Sequence, residues 1–223
     1  MPEYVVDFSQ SGPPLGADGR LDASAFHRNH VAIWSVLAKF LEGRSGDVLE
    51  IGSGTGQHAT EFSRRAPAIA WWPTDFSDSH LRSIAAWRAF SKILNMQAPV
   101  RLDASARDWA LNKLGLPSEF VAMFCANVIH ISPWTVSQGL MAGAARHLAG
   151  DGRLFVYGPF RRDGVHSAPS NAAFDESLRA ENPAWGVRDT ADLRALAEQN
   201  NLRLAEIVEM PANNAILAFD RSA

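Results

Sequence analysis

The chain has 223 residues, of which 47% are hydrophobic and 20% charged, with a formal net charge of -3 at pH 7 and one cysteine. This length and composition are typical of one globular domain, the acidic balance argues against binding to nucleic-acid phosphates, and a single cysteine excludes an intramolecular disulfide. The first twenty residues lack the basic and apolar segments of a secretion signal, and no apolar run approaches the roughly 20 residues of a membrane helix, so we expect a cytoplasmic protein that binds neither membrane nor nucleic acid.

The first predicted element is an arm. Residues 1–24 are rich in Gly, Pro and Asp, and we interpret them as a mobile arm before a single domain over residues 25–223. Apolar residues then recur at helical spacing over residues 25–41, and Gly43 ends that helix. Further along, strands are predicted over residues 47–52, 68–72, 99–103, 119–126 and 152–158, and helices over residues 57–65, 79–90, 134–148 and 171–179. The expected N-cap residues are Ser79, Ser170 and, for a later helix, Thr190.

Continuous apolar strands that alternate with helices indicate a three-layer α/β fold, in which helices cover both faces of a parallel sheet. The tail differs, because a predicted helix over residues 190–200 is followed by two strand-like runs, 202–209 and 215–220, with only a short connection between them. A short connection makes a hairpin, so we expect the last two strands to be antiparallel.

The strongest local signal is the glycine-rich turn that joins the first predicted strand to a helix. It comprises Gly52, Ser53, Gly54, Thr55 and Gly56. Glycines let a backbone turn tightly and approach a ligand, and the following helix N-terminus offers unpaired N–H groups. The spacing is G-x-G-x-G, whereas dinucleotide-binding turns read G-x-G-x-x-G. The turn therefore predicts a nucleotide-like cofactor at the carboxyl end of strand one.

Three acidic residues narrow the choice of cofactor. Glu50 lies two residues before the first glycine, where a carboxylate would repel a diphosphate but suits the ammonium and sulfonium of S-adenosylmethionine. Asp75 closes strand two, where an acid commonly binds ribose hydroxyls in either cofactor class. Asp103, followed by Ala104, closes strand three and could accept from the adenine amine. Together these residues favour S-adenosylmethionine as the cofactor.

The sequence also resembles the class I S-adenosylmethionine-dependent methyltransferases, and within them a little-characterised methyltransferase-like family first catalogued as a domain of unknown function. The segments that carry the resemblance are Arg28-Asn29, LEIGSGTGQHA (49–59), WWPTD (71–75), SIAAWR (83–88), FCANVIHISPW (124–134), YGPFRRDG (157–164), SNAAFDESLR (170–179), WGVRD (185–189) and MPANN (210–214). The resemblance implies a Rossmann-like, seven-stranded sheet of order 3-2-1-4-5-7-6 with strand seven antiparallel. It also implies cofactor contacts at Glu50, Gly52, Gly54, Asp75, Asp103 and Asn127. One departure is Ser53, where relatives often carry Ala.

The acceptor site is expected at the same edge, because ligands of open parallel sheets bind outside the carboxyl ends of the strands. Polar, cationic and aromatic residues of the predicted loops are the substrate-binding candidates: Arg28, Asn29, Trp134, Phe160, Arg161, Ser170, Asn171, Phe174, Arg188, Asn213 and Asn214. Arg161, Arg162 and Arg188, together with Ser170, could bind an anionic group, so a carboxylated or phosphorylated acceptor is the weakly preferred class. Several have simpler interpretations, since Ser170 also fits a helix cap and the two final asparagines fit a turn.

Two histidines are the candidate catalytic residues. If the acceptor requires a general base, His130 or His166 could supply it, although His130 could equally hydrogen-bond a backbone carbonyl. No group of His, Cys and acidic residues has metal-ligand spacing, so we expect no metal. Arg28 and Asn29 lie at the base of the arm, which suggests that the arm folds over the pocket as a lid.

The leading hypothesis is methylation of a small molecule by in-line transfer from S-adenosylmethionine, which leaves S-adenosylhomocysteine. Two alternatives remain open. One is an NAD-dependent reductase with the same layered fold, against which Glu50 counts. The other is a non-catalytic protein that binds S-adenosylmethionine or S-adenosylhomocysteine. The sequence indicates neither the acceptor nor the oligomeric state.

Overall fold

A computed structural model describes residues 18–222. In chain order the elements are α1 (Ser24–Leu41), β1 (Gly46–Ile51), α2 (Gln57–Arg65), β2 (Ile69–Asp75), α3 (Asp78–Ser91), β3 (Val100–Arg101), a 3-10 helix (Leu111–Leu114), β4 (Phe120–Ala126), α4 (Trp134–His147), β5 (Leu148–Gly158), β6 (Phe160–Arg162), β7 (Val165–His166), α5 (Pro169–Glu181), β8 (Arg188–Asp189), α6 (Thr190–Gln199), β9 (Leu202–Met210) and β10 (Asn214–Arg221). Most of the predicted elements are present, with ends that differ by a few residues.

The main sheet has seven strands in the order β3-β2-β1-β4-β5-β10-β9. β1 pairs in parallel with β2 and β4, whereas β10 is antiparallel to both β5 and β9. Counted within this sheet alone, the order is 3-2-1-4-5-7-6 with strand seven antiparallel, so the predicted Rossmann-like methyltransferase fold is confirmed. A small additional sheet, β7-β6-β8, was not predicted, because its strands of two or three residues are too short to show a period.

The two faces of the sheet have separate cores. Leu49 packs in the core that includes Leu140 of α4 and Leu193 of α6. Its neighbour Val48 packs in the other core, with Ile33 of α1 and residues of α2 and α3. Because side chains alternate along a strand, Glu50 lies on the face of Val48. Glu50, which lies just before the glycine turn, is therefore on the side of the sheet covered by α1, α2 and α3.

The predicted helix caps are wrong in all three cases. α3 begins at Asp78 after the N-cap residue Ser77, so Ser79 lies inside the helix. α5 begins at Pro169, which places Ser170 in its first turn. The N-cap of α6 is Asp189, whose side chain accepts a hydrogen bond from Ala191 N at 2.9 Å, and not Thr190. Helix starts are the least reliable part of a sequence prediction, because neighbouring polar residues are equally good caps. The third strand is also shorter than predicted, with only Val100 and Arg101 paired.

Most of the predicted arm, residues 1–17, lies outside the described residues. The hypothesis that the arm acts as a lid concerns those residues and stays a prediction. The described end of the arm is bound to α2 and α3. Leu21 N donates to Ser83 Oγ at 2.9 Å, Trp87 Nε1 donates to Leu21 O at 3.0 Å, and Ala23 N donates to Gln57 Oε1 at 2.8 Å. Over residues 18–222, the helices are all too short or too polar to cross a membrane.

Candidate functional site

A cavity of about 610 Å³ opens at the carboxyl ends of β1, β2, β4 and β5. Its walls are the glycine turn, the loops after β2, β4 and β5, the first turns of α1, one side of α5 and the hairpin between β9 and β10. The predicted site residues that line it are Glu50, Gly52, Ser53, Gly54, Asp75, Ala104, Asn127, Arg28, Asn29, His130, Asn171, Phe174 and Asn214. The structure thus brings the expected cofactor turn and part of the expected acceptor rim into one space.

The glycine turn needs glycine for two different reasons. Gly52 and Gly54 have φ values of 69° and 56°, in the region that glycine tolerates best. A Cβ on Gly52 would lie 2.5 Å from Cγ2 of Val128, so the turn is packed against the loop after β4. Gly56 does not line the cavity; as the N-cap residue of α2 it packs against α3, where a Cβ would lie 2.9 Å from Cα of Ile84. The first two glycines shape the cavity and the third sets helix packing.

Glu50 is a buried carboxyl, with 2% of its surface exposed. Trp71 Nε1 donates a hydrogen bond to its Oε2 at 2.5 Å. Burial and the nearby charge of Asp75 raise the pKa of Glu50 to about 8. The carboxyl is therefore largely protonated at neutral pH, and a cationic group placed beside it would favour its ionised form.

Asp75 is held in place by three donors. Gly54 N donates to Oδ2 at 2.8 Å, Ser77 N donates to Oδ1 at 2.9 Å, and His80 Nδ1 lies 3.0 Å from Oδ1. A carboxylate has about four accepting positions, so roughly one remains for a ligand hydroxyl. His80 lines the cavity beside Asp75 and was not among the predicted site residues. The only sign of its role in the sequence is that it follows Asp75 by five residues.

Asp103 differs from the other two acids. Its Oδ1 accepts from Ser105 N at 2.9 Å and from Ser105 Oγ at 2.6 Å. The neighbours Leu102 and Ala104 line the cavity, but Asp103 does not. The short loop after β3 therefore turns the carboxylate towards Ser105. Asn127, by contrast, lines the cavity with a φ of 57°, and its N donates to Tyr157 O at 2.9 Å.

The two candidate catalytic histidines have different environments. His130 is 3% exposed, lines the cavity and packs edge-on against Phe174. Burial, reinforced by the charge of Arg188, lowers the pKa of His130 to about 3, so its ring is neutral. Its Nδ1 has no hydrogen-bond partner among residues 18–222. His166 lies outside the cavity lining, with Nε2 3.4 Å from Asp175 Oδ2.

The expected anion-binding arginines do not line the cavity. Arg188 donates to the carbonyl oxygens of three residues in the adjacent loops, Ile129, Ser132 and Ala184. Arg162 pairs with Glu209. The remaining candidates outside the lining are Trp134, Phe160, Arg161, Ser170 and Asn213. Phe160 is a core residue, and the guanidinium of Arg188 lies 5.7 Å from the ring of Trp134. Arg188 therefore holds the loops beside the site together.

A polar cluster lies between α1, α2 and β5, and two of its members, His58 and Tyr157, were not predicted from the sequence. His58 Nε2 lies 2.8 Å from Asn29 Oδ1, and the side chain of Asn29 also hydrogen-bonds Tyr157. All three residues line the cavity, as does Arg28, whose charge acts on Tyr157. Tyr157 and His58 belong to segments that look like strand and helix core in the sequence, so only the fold indicates that they face a ligand space.

The far end of the cavity is largely apolar. Phe174, Leu178 and Trp185 line it, together with the hairpin residues Pro211 and Ala212. Asn171 is fixed there, since its Nδ2 donates to Asn213 O at 2.8 Å. Trp185 Nε1 is buried without a hydrogen-bond partner among the described residues. The end beyond Asn127 therefore suits an apolar molecule with few polar groups.

A sequence-family model described as "Protein of unknown function (DUF938)" matches residues 20–221. Solved structures of methyltransferases share the fold. The S-adenosylmethionine-dependent methyltransferase SibL is 17% identical with a TM-score of 0.65, over 89% of this chain and 58% of SibL. CalO1, a methyltransferase in calicheamicin biosynthesis solved with S-adenosylhomocysteine bound, is 17% identical with a TM-score of 0.63, over 96% of this chain and 66% of CalO1. The mitomycin 7-O-methyltransferase MmcR is 16% identical with a TM-score of 0.67, over 86% of this chain and 56% of MmcR.

This chain thus spans between half and two thirds of the length of these three proteins. At such low identities the similarity shows the fold alone, and the chemistry of this chain depends on the residues of its own cavity.

Proposed function

Because the chain belongs to the DUF938 family of unknown function and has the fold of S-adenosylmethionine-dependent methyltransferases, we propose that it is such a methyltransferase and acts on a small molecule. One observation carries the proposal: the buried carboxyl of Glu50 lies in the same cavity as the glycine turn and Asp75. This combination suits a ligand with a positive charge near a ribose.

The residues present fit S-adenosylmethionine better than NAD. Glu50 would face the cationic amino-acid and sulfonium end, the turn from Gly52 to Gly54 allows close approach of a ligand, and Asp75 retains an accepting position for a ribose hydroxyl. Ala104 and Asn127 complete the cofactor side of the cavity. A diphosphate in the same place would lie beside Asp75 and would leave the buried carboxyl of Glu50 without the cationic partner that favours its ionised form.

When bound, S-adenosylmethionine supplies a methyl group that is activated by its positive sulfur. The protein then has to align the acceptor and exclude water. His130 is placed to orient an acceptor by a hydrogen bond. With a pKa of about 3 it is a weak base at neutral pH, so we assign it positioning of the acceptor in preference to general-base catalysis. His166, outside the cavity lining, has no part in this proposal.

We propose an uncharged acceptor, in place of the anionic one that the arginines suggested. Arg161, Arg162 and Arg188 do not line the cavity. Within the described chain, the lining residues from α5 onwards include one charged side chain, Glu181, whereas Phe174 and its neighbours are apolar. Burying an unpaired anion against such walls is costly, so a largely apolar molecule with one nucleophilic group fits better.

The test has a binding step and a turnover step. Isothermal titration should give saturable binding of S-adenosylmethionine and S-adenosylhomocysteine and none of NAD; the opposite preference would refute the proposal. The protein is then incubated with S-adenosylmethionine labelled in its methyl group and a small-molecule extract, and labelled products are sought by mass spectrometry. Tight binding without turnover of any acceptor would favour the non-catalytic alternative.

A further inference from the structure

Arg28 and Tyr157 form one wall of the cavity, on the side of α1. Tyr157 is 5% exposed at the carboxyl end of β5. Arg28 lies in the second turn of α1 and is exposed at the mouth of the cavity. Tyr157 lies on the sheet face that holds Glu50, because Glu50 pairs with Phe124 and Phe124 with Phe155, two residues before Tyr157. The helix α1, which carries Arg28, covers the same face.

Polar side chains connect His58 to Tyr157 through Asn29. Burial keeps the ring of His58 neutral, with a pKa lowered to about 3. Asn29 Oδ1 can only accept, so Nε2 of His58, at 2.8 Å, carries the proton and donates. We assign the amide N–H of Asn29 as the donor to the oxygen of Tyr157, and the hydroxyl hydrogen of Tyr157 is then available to donate to a ligand. Burial also raises the pKa of Tyr157, so that hydrogen is retained at neutral pH.

Arg28 adds a positive charge to this donor. Arg28 is the only Lys or Arg among the described residues that line the cavity. No carboxylate of residues 18–222 lies within ion-pair distance of it, whereas arginines such as Arg153 and Arg162 have acidic partners. A guanidinium and a hydroxyl donor beside each other suit an anion, and a carboxylate above all.

We infer that Arg28 and Tyr157 form a carboxylate-binding subsite, with Asn29 and His58 as positioning residues, and that it receives the carboxylate at the amino-acid end of the cofactor. This inference rests on the proposed function. It assigns the two charges of that end separately: Glu50 faces the ammonium and Arg28 faces the carboxylate. A carboxylate of the acceptor would use the same chemistry, and the experiment has to distinguish these two sources.

The experiment compares two ligands on four proteins by isothermal titration. The ligands are S-adenosylhomocysteine and its analogue in which hydrogen replaces the carboxylate. The proteins are the wild type, Arg28→Met, Tyr157→Phe and the control Arg194→Met, which removes an exposed arginine of α6 outside the cavity lining. Thermal unfolding of each variant shows whether it is folded.

The expected result is selective. Arg28→Met weakens S-adenosylhomocysteine by about 10-fold or more, the range of a hydrogen bond to a charged group, and changes the affinity of the analogue by less than about 2-fold. Tyr157→Phe has a smaller effect of the same selectivity, and Arg194→Met has none. Equal losses for both ligands, or unchanged affinity for S-adenosylhomocysteine in Arg28→Met, would overturn the subsite; the latter result would point to an acceptor carboxylate. If the wild type binds neither ligand, the cofactor proposal itself fails, and the subsite with it.

Discussion

The carboxyl of Glu50 couples the stability of the protein to pH. Its pKa is about 8 in the folded protein, against an ordinary value of 4.5. Between these values the folded protein holds a proton that the unfolded chain releases. The contribution of the protonated Glu50 to the free energy of unfolding is therefore fully present below about pH 4.5, falls as the pH rises above that value, and is lost once the pH passes about 8. At pH 7 the free energy of unfolding has fallen by about 3 kcal/mol, since each unit of pKa difference corresponds to about 1.4 kcal/mol.

Glu50→Gln tests this reasoning, because the amide keeps the size of the side chain and an acceptor for Trp71 Nε1 but does not ionise. We expect the free energy of unfolding of the variant, measured with urea, to exceed that of the wild type at pH 8 and to approach it at pH 5. Glu198→Gln, at an exposed position of α6, is the matched control and should show no such trend. A wild type more stable than the variant at pH 8 would contradict a raised pKa of Glu50 in the folded protein.

The same carboxyl should make cofactor binding depend on pH. Because the ionised form attracts the cationic cofactor, the association constant of S-adenosylmethionine should rise by about 10-fold per pH unit between pH 5.5 and 7. Titrations in buffers of different ionisation enthalpy should show nearly one proton released per ligand at pH 7. In Glu50→Gln both effects should disappear. The same pH dependence in both proteins would show that Glu50 does not face the cationic end.

Three further predictions concern other parts of the cavity. Asp75→Ala should weaken S-adenosylhomocysteine by about 1–3 kcal/mol in titration calorimetry, the range for a lost hydrogen bond to a charged group; unchanged affinity would contradict the ribose assignment. Gly52→Ala should lower the free energy of unfolding by about 1–3 kcal/mol, because its Cβ would meet Val128 and its φ is 69°. In the control Gly150→Ala the Cβ would have no atom within 4 Å, so the free energy of unfolding should fall by less. His130→Gln should lower kcat for an identified acceptor without removing an ionisation between pH 6 and 8 from the rate profile, since the pKa of His130 is about 3; loss of such an ionisation would restore the general-base role.

The sequence predicted the sheet because its evidence is local. Apolar strands such as β4 and the short connection between β9 and β10 are contiguous in the chain, and periodicity and loop length report on contiguous residues. The glycine turn is local as well, and it places Glu50 and Asp75 at neighbouring strand ends through the parallel pairing of β1 and β2. The turn and these two acids were therefore brought into the cavity as expected.

Which of the other candidate side chains face the cavity could not be predicted, because this depends on the direction of each side chain in the folded protein. Asp103 and Arg188 were sensible candidates by residue type, yet one is bound by Ser105 and the other by backbone carbonyls of adjacent loops. Tyr157 and His58 had no sequence signal, since a buried strand residue and a helix residue usually belong to the core. Hydrogen bonds in the folded chain decide which of these groups face the ligand space.

The layered fold, the glycine turn and Glu50 beside it could thus be read from the sequence, because each depends on a few consecutive residues. That His130 is buried and neutral, and that α1 brings Arg28 and Asn29 beside Tyr157, became clear from the folded structure alone. The physical reason is that burial, pKa and donor direction depend on neighbours that are distant in the chain, and folding alone brings those neighbours together.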